Sequence, residues 1–143
     1  QAFANQLITE YSSSSYAAVA AMLLAKQAVD NGEFEAAEAQ LKWALENATS
    51  EEITNTARIR LLRVMIERAE YAQTEQLLSK VQAPGSFAYL YSELEGDLAL
   101  ARGEMTKAAR AYKVALEQVP DETLNVSLLT AKYESVNTAG EVE

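Results

Sequence analysis

Apolar residues recur every three or four positions through most of the chain, in segments separated by short polar or glycine-bearing breaks. That spacing predicts amphipathic helices, since strands would alternate apolar and polar side chains. From Gln1 to Tyr11, Phe3, Leu7 and Ile8 mark a short first helix, and Ser12 to Ser15 end it and cap the next. A second helix is expected from Tyr16 to Asn31, stopped by Gly32, and a third carries Phe34, Ala37, Leu41, Ala44 and Leu45. Thr49 and Glu52 have the spacing of a capping box, so a fourth helix begins near Ser50 and runs to about Arg68 with Ile53, Leu61, Leu62, Met65 and Ile66. Tyr71, Leu78 and Val81 mark a fifth, after which Pro84 and Gly85 break the chain. Two further patterns meet at Gly103 within Leu94 to Pro120. Asp121 is then placed to cap a last helix, about 121–135, whose apolar side is Leu124, Leu128, Leu129 and Tyr133. The stretch from Val136 to Glu143 lacks periodicity, and 137–143 is expected to be a flexible tail.

The pairs of helices share one grammar. Around Gly103 stand Gly96 and Ala99 before the turn and Ala108, Tyr112, Ala115, Leu116 and Pro120 after it. Small residues let two antiparallel helices approach, and Tyr112 and Leu116 fill the seam they leave. Leu24 and Ala25 before Gly32, with Ala37, Leu41, Ala44 and Leu45 after it, repeat those roles. A degenerate middle copy turns at Ala69, with Thr74 in place of the small alanine and Gln82 in place of the leucine. Ala69 follows Gly32 by thirty-seven residues and Gly103 follows Ala69 by thirty-four, the standard length of a tetratricopeptide repeat. The expected fold is therefore all-α: a single TPR-like domain over 1–136, a right-handed superhelix of about three helical hairpins at 18–51, 55–88 and 89–122, with an N-terminal helix and a C-terminal closing helix. Terminal helices of such stacks shield apolar ends that the repeats leave open.

Composition narrows the chemistry. The 143 residues suit one domain, 49% are hydrophobic, and Gly and Pro number only 5 and 2. With neither Cys nor His, the chain has no disulfide, no thiolate nucleophile, no imidazole base and no ordinary zinc site, so neither a metal nor another cofactor is expected. Its 12 basic and 21 acidic residues give a net charge of −9, against a nucleic-acid surface or adsorption to anionic lipid and in favour of protein partners. The longest apolar run, Tyr16 to Ala25, is about half of the ~20 residues that cross a bilayer.

Three segments, NGEFEAAEAQLKWAL at Asn31 to Leu45, ARIRLLRVMIERAEYAQTEQLL at Ala57 to Leu78 and ELEGDLALARGEMTKAARAYKVAL at Glu93 to Leu116, carry a resemblance to the YfgM family. That resemblance covers roughly Phe3 to Tyr133. It implies a bacterial inner-membrane protein that is an ancillary subunit of the SecYEG translocon, with a short cytoplasmic N-terminus, one membrane-spanning helix and a periplasmic repeat domain. It further implies association with the membrane-anchored periplasmic chaperone PpiD. The present sequence, starting at Gln1, would then be the domain on the periplasmic side of the inner membrane, held to the membrane only by an N-terminal anchor upstream of it.

In a tetratricopeptide stack the first helix of each pair lines the inner surface. The turn residues set the register: Val19, Met22, Lys26 and Val29; then Thr56, Ile59, Arg63 and Ile66; then Leu90, Glu93, Asp97 and Leu100. These are the candidate partner-binding residues, a largely apolar lining suited to an amphipathic helix or an extended apolar segment, with Met22 able to adapt to several shapes. Alternatively a terminal helix fills the groove and the stripe is core. Lys26 and Arg63 give a basic end and Glu93 and Asp97 an acidic one, which could orient a peptide or simply be solvated.

Other features carry less. Met22, Lys26, Leu90 and Leu94 stand where a carboxylate clamp would place polar groups, so no such clamp is expected. Arg58, Arg60, Arg63 and Arg68 spread around their helix at about 100° per residue and make a poor phosphate site. Trp43, the single tryptophan, is read as packing unless it faces outward, where it would mark a partner surface. Asn47-Ala48-Thr49 and Asn125-Val126-Ser127 match a glycosylation pattern too common to weigh against the bacterial resemblance. The function expected is non-enzymatic: an interaction domain linking chaperone or exported chain to the translocon. Its rival is a scaffold subunit of another envelope assembly complex or a self-associating domain.

Overall fold

The computed structural model describes residues 1–10, 15–82, 84–123 and 125–140, and it is all-α, with no strand among them. Among the described residues eight α-helices follow in order: α1 (Ala2–Glu10), α2 (Ser15–Asp30), α3 (Phe34–Glu46), α4 (Glu51–Glu67), α5 (Tyr71–Ser79), α6 (Ala88–Ala101), α7 (Met105–Gln118) and α8 (Ser127–Gly140). A 3-10 turn at Gly85–Phe87 leads into α6. The chain forms two compact units, Gln1–Arg68 and Ala69–Glu143. The pairs expected at 18–51 and 89–122 are α2 with α3 and α6 with α7; the middle copy gives α4 to the first unit and α5 to the second.

All three phasing residues adopt the left-handed conformation: φ is +76° at Gly32, +58° at Ala69 and +78° at Gly103. Around the glycines the backbone bonds alike. The Glu33 N–H donates to the Ala28 carbonyl and Gly32 to Val29, as Glu104 donates to Ala99 and Gly103 to Leu100. This double bond, which satisfies carbonyls a helix end would otherwise leave free, is the Schellman motif. Five residues past each turn, Ala37, Thr74 and Ala108 are all 0% exposed. Nine past, Leu41, Leu78 and Tyr112 are buried as well. Thr74 is buried on α5 with its hydroxyl satisfied, since it donates to the Glu70 carbonyl one turn back, at 2.7 Å.

In the first unit α2 packs against α1, α3 and α4. Its alanines make that possible: Ala17, Ala18, Ala20, Ala21, Ala25 and Ala28 are all buried, letting neighbours approach on several sides. Leu41 from α3 and Leu61, Leu62 and Met65 from α4 complete the core. Glu38 is buried too, and is held by Lys42 and Arg68.

In the second unit α7 packs against both α6 and α8. Ala99, Ala108, Tyr112, Ala115, Leu129 and Val136 form one cluster there. Gly96 is buried beneath the Tyr112 ring. Arg102 on the α6 end reaches Glu75 of α5 at 3.1 Å.

Several boundaries differ from the sequence expectation. Ser50, not Thr49, caps α4: its hydroxyl accepts the Ile53 N–H at 3.2 Å, while Thr49 Oγ1 pairs with Ser15 Oγ at 2.6 Å. Asp121 does not stand at the start of α8, which begins six residues later, where Asn125 Oδ1 accepts from the Ser127 N–H. The closing helix thus runs over 127–140 instead of 121–135, and Val136, read as the start of the aperiodic stretch, is core. Because 129, 133 and 136 share a face at helical spacing, Leu129, Tyr133 and Val136 turn inward and Leu128 is left 69% exposed. Ser12 to Ser14 of the serine cap, Leu124 and residues 141–143 of the tail lie outside the described residues, as do the side chains of Phe3 and Leu7.

Candidate functional site

The first unit holds an open cavity of about 290 Å³ between α2, the start of α3 and α4. Ala25, Val29, Phe34, Leu41 and Val64 give it an apolar floor. Lys26, Arg60 and Arg63 stand on its rim with a single acid, Glu67. The helix periodicity explains the combination. Lys26 and Val29 are three apart on α2, and Arg60, Arg63, Val64 and Glu67 fall at three- and four-residue steps on α4, so each set shares a face. Lys26 also pairs with Asp30 one turn on, at 2.8 Å, with both side chains mostly in solvent. Arg60 and Arg63 are exposed and form no ion pair among the described residues.

Three of the candidate groove residues, Lys26, Val29 and Arg63, are thereby brought together at one site. Met22 and Ile59 are buried in the core, Thr56 and Ile66 are half-buried, and Val19 is exposed on α2 outside the cavity lining. Sequence reasoning passed over Arg60 and Phe34. Arg58, Arg60 and Arg63 lie on α4 and Arg68 caps its end, but Arg60 and Arg63 are three apart, and that pair was the available signal. Arg68 leaves the rim altogether to hold Glu38. Trp43 is half-buried on α3, where its carbonyl accepts from the Asn47 side chain at 2.9 Å.

In the second unit the register residues meet α8. Lys132 donates to Glu93 at 2.7 Å and lies 3.0 Å from Asp97, and the Tyr112 hydroxyl donates to Asp97 at 2.7 Å. Burial opposes the charge on Lys132, but hydrogen bonds to Glu93 and Asp97 outweigh it and hold the ammonium above its ordinary pKa. Burial and the bond to Asp97 together push the Tyr112 phenol far above the usual tyrosine range. The acidic pair read from sequence as solvated or partner-binding is therefore engaged by the closing helix. Leu90 is half-buried and Leu100 exposed.

A second cavity in this unit, about 450 Å³, mixes Glu75 and Glu95 with Lys107 and Arg110 over Leu78, Leu98 and Val114. Glu95 is exposed at the cavity edge, and partial loss of water around its carboxyl raises it above the usual range, against the pull of Lys107. No described helix is long and apolar enough to cross a membrane.

Comparison with known proteins matches the geometry. Residues 1–138 fit the family model described as a tetratricopeptide repeat-like domain. A protein of Neisseria gonorrhoeae named ancillary SecYEG translocon subunit is 32% identical over 133 residues, covering 92% of this chain and 63% of its own length. An Escherichia coli protein of the same name is 28% identical over 102 residues, 71% of this chain and 49% of its own length. A third, from Aggregatibacter actinomycetemcomitans, is 32% identical over 115 residues, 79% and 55% respectively. The chain spans about half to three-fifths of the length of these relatives. No solved structure matches it. The resemblance drawn from the three quoted segments is borne out by these names, and the family model covers nearly the whole chain: the chain belongs to the tetratricopeptide repeat-like domain family.

Proposed function

We propose that this chain is a non-enzymatic interaction domain that works beside the SecYEG translocon. It belongs to an inner-membrane protein, faces the periplasm and engages the chaperone PpiD, helping to pass exported chains between them. The observation that carries this reading is that curated relatives over most of the chain share one name, ancillary SecYEG translocon subunit. The open cavity of the first unit supports it, because an apolar floor with an exposed cationic rim suits a protein segment better than a reaction centre.

Affinity purification of the tagged protein from membranes of its own host, with an untagged strain as control, tests the assignment. Enrichment of translocon subunits and of PpiD is expected. Recovery of neither above the control would overturn it.

A further inference from the structure

The cavity of the first unit has a chemistry specific enough to describe its guest, granted the reading above that the domain binds proteins. About 290 Å³ corresponds to roughly ten water volumes of ~30 Å³ each. That is ample room for one bulky apolar side chain. The rim carries Lys26, which is paired with Asp30, and two exposed arginines, Arg60 and Arg63, against the single lining carboxylate of Glu67, in a chain whose net charge is −9. A concentration of positive charge on so acidic a protein favours an acidic guest.

The apolar surface continues past the cavity. Tyr16, Val19 and Leu23 on α2 are 76%, 42% and 60% exposed, and Val19, Leu23 and Lys26 follow one another at helical steps. From Tyr16 to Val29 this face extends about 20 Å at 1.5 Å per residue, longer than any single side chain. The guest is therefore a stretch of polypeptide that lies along α2 and anchors one residue beside Arg60 and Arg63.

We infer that the cavity between α2 and α4 binds an internal segment of a partner protein, in which one bulky apolar residue, Phe or Leu, is flanked by Asp or Glu. The apolar residue fills the space over Val29, Leu41 and Val64. The flanking acids pair with Lys26, Arg60 and Arg63. No free chain terminus is involved.

The test is fluorescence anisotropy of the whole chain with a labelled synthetic peptide carrying Phe between two Asp-Glu pairs and an amidated C-terminus. Saturable binding is expected, weakening by about tenfold or more when Phe becomes Ala, when the acids become Asn and Gln, or in Arg60→Glu/Arg63→Glu. These arginines are exposed, so the variant should keep the circular dichroism and melting of the parent; Val29→Asp, on the same floor, gives a second loss independent of the arginines. Equal binding of a peptide with Lys in place of the acids overturns the inference. So does binding that needs a free C-terminal carboxylate, dodecanoate occupying the site while the peptide does not bind, or a dimer whose self-association through this face excludes the peptide. Co-purification of the unaltered protein with the translocon tests the broader function separately, so either claim can fail alone.

Discussion

Gly96 lies under the ring of Tyr112 so closely that a Cβ at position 96 would stand 2.5 Å from Cδ1 and 2.9 Å from Cζ. The ring cannot swing away, because it is fully buried and its hydroxyl is tied to Asp97. Gly96→Ala should cost about 1–3 kcal/mol by overpacking, and Ala108→Leu a similar amount at its own crossing. Urea unfolding of the two variants checks both. A neutral result for Gly96→Ala would mean that α6 and α7 do not cross at these residues.

Ala69 occupies a backbone conformation that glycine holds in the other two copies. A Cβ in the left-handed region costs about 1 kcal/mol. Ala69→Gly should therefore stabilise the chain by up to about 1 kcal/mol and Gly103→Ala should destabilise it by a similar amount, read from the same unfolding curves.

Lys132 fastens α8 to α6 through Glu93 and Asp97. Its folded pKa lies above the ordinary 10.5, so the stability it contributes is complete below about pH 10.5 and lost as the pH rises through the folded value. Tyr112 acts in the same direction, since its phenol ionises more readily once unfolded, from about pH 10. Lys132→Met should remove part of this alkaline loss. It should also destabilise the chain at neutral pH by about 1–3 kcal/mol, because Glu93 stays buried without its cation. Melting temperature against pH, parent beside variant, is the measurement.

Glu38 gives the opposite sign. Burial raises its pKa, but the Lys42 and Arg68 hydrogen bonds outweigh that and hold it below the ordinary 4.5. The stability it contributes is present above about pH 4.5 and lost as the pH falls through the lower folded value. Glu38→Gln should flatten the acid limb of the same profile; an unchanged limb would mean that the carboxylate is not held by its cations.

The sequence disclosed the parts of the fold that depend on periodicity and on turn residues. Ala37, Thr74 and Ala108 could be aligned before any coordinates because each stands at one fixed step from a turn, and each is buried. Caps were less legible: Thr49 and Ser50 are both able to accept a backbone N–H, and only the packing of Thr49 against Ser15 decides between them. The site was legible by half. Lys26, Val29 and Arg63 followed from the register, but the role of Glu93 and Asp97 depended on Lys132, some thirty-five residues further along a helix whose start sequence reading misplaced. Arg60 was hidden by counting four arginines together when two of them share a face.

The proposed docking of a component of the export machinery depends on one surface, the cavity between α2 and α4. A photo-crosslinking amino acid at Val29, in the protein expressed in its own host, interrogates that surface directly, with the same probe at exposed Lys113 on α7 as reference. The predicted result is a discrete adduct from position 29 to a translocon subunit or to PpiD, absent from position 113 and lost in Arg60→Glu/Arg63→Glu. Equal labelling from both positions, or no adduct from position 29, would contradict it.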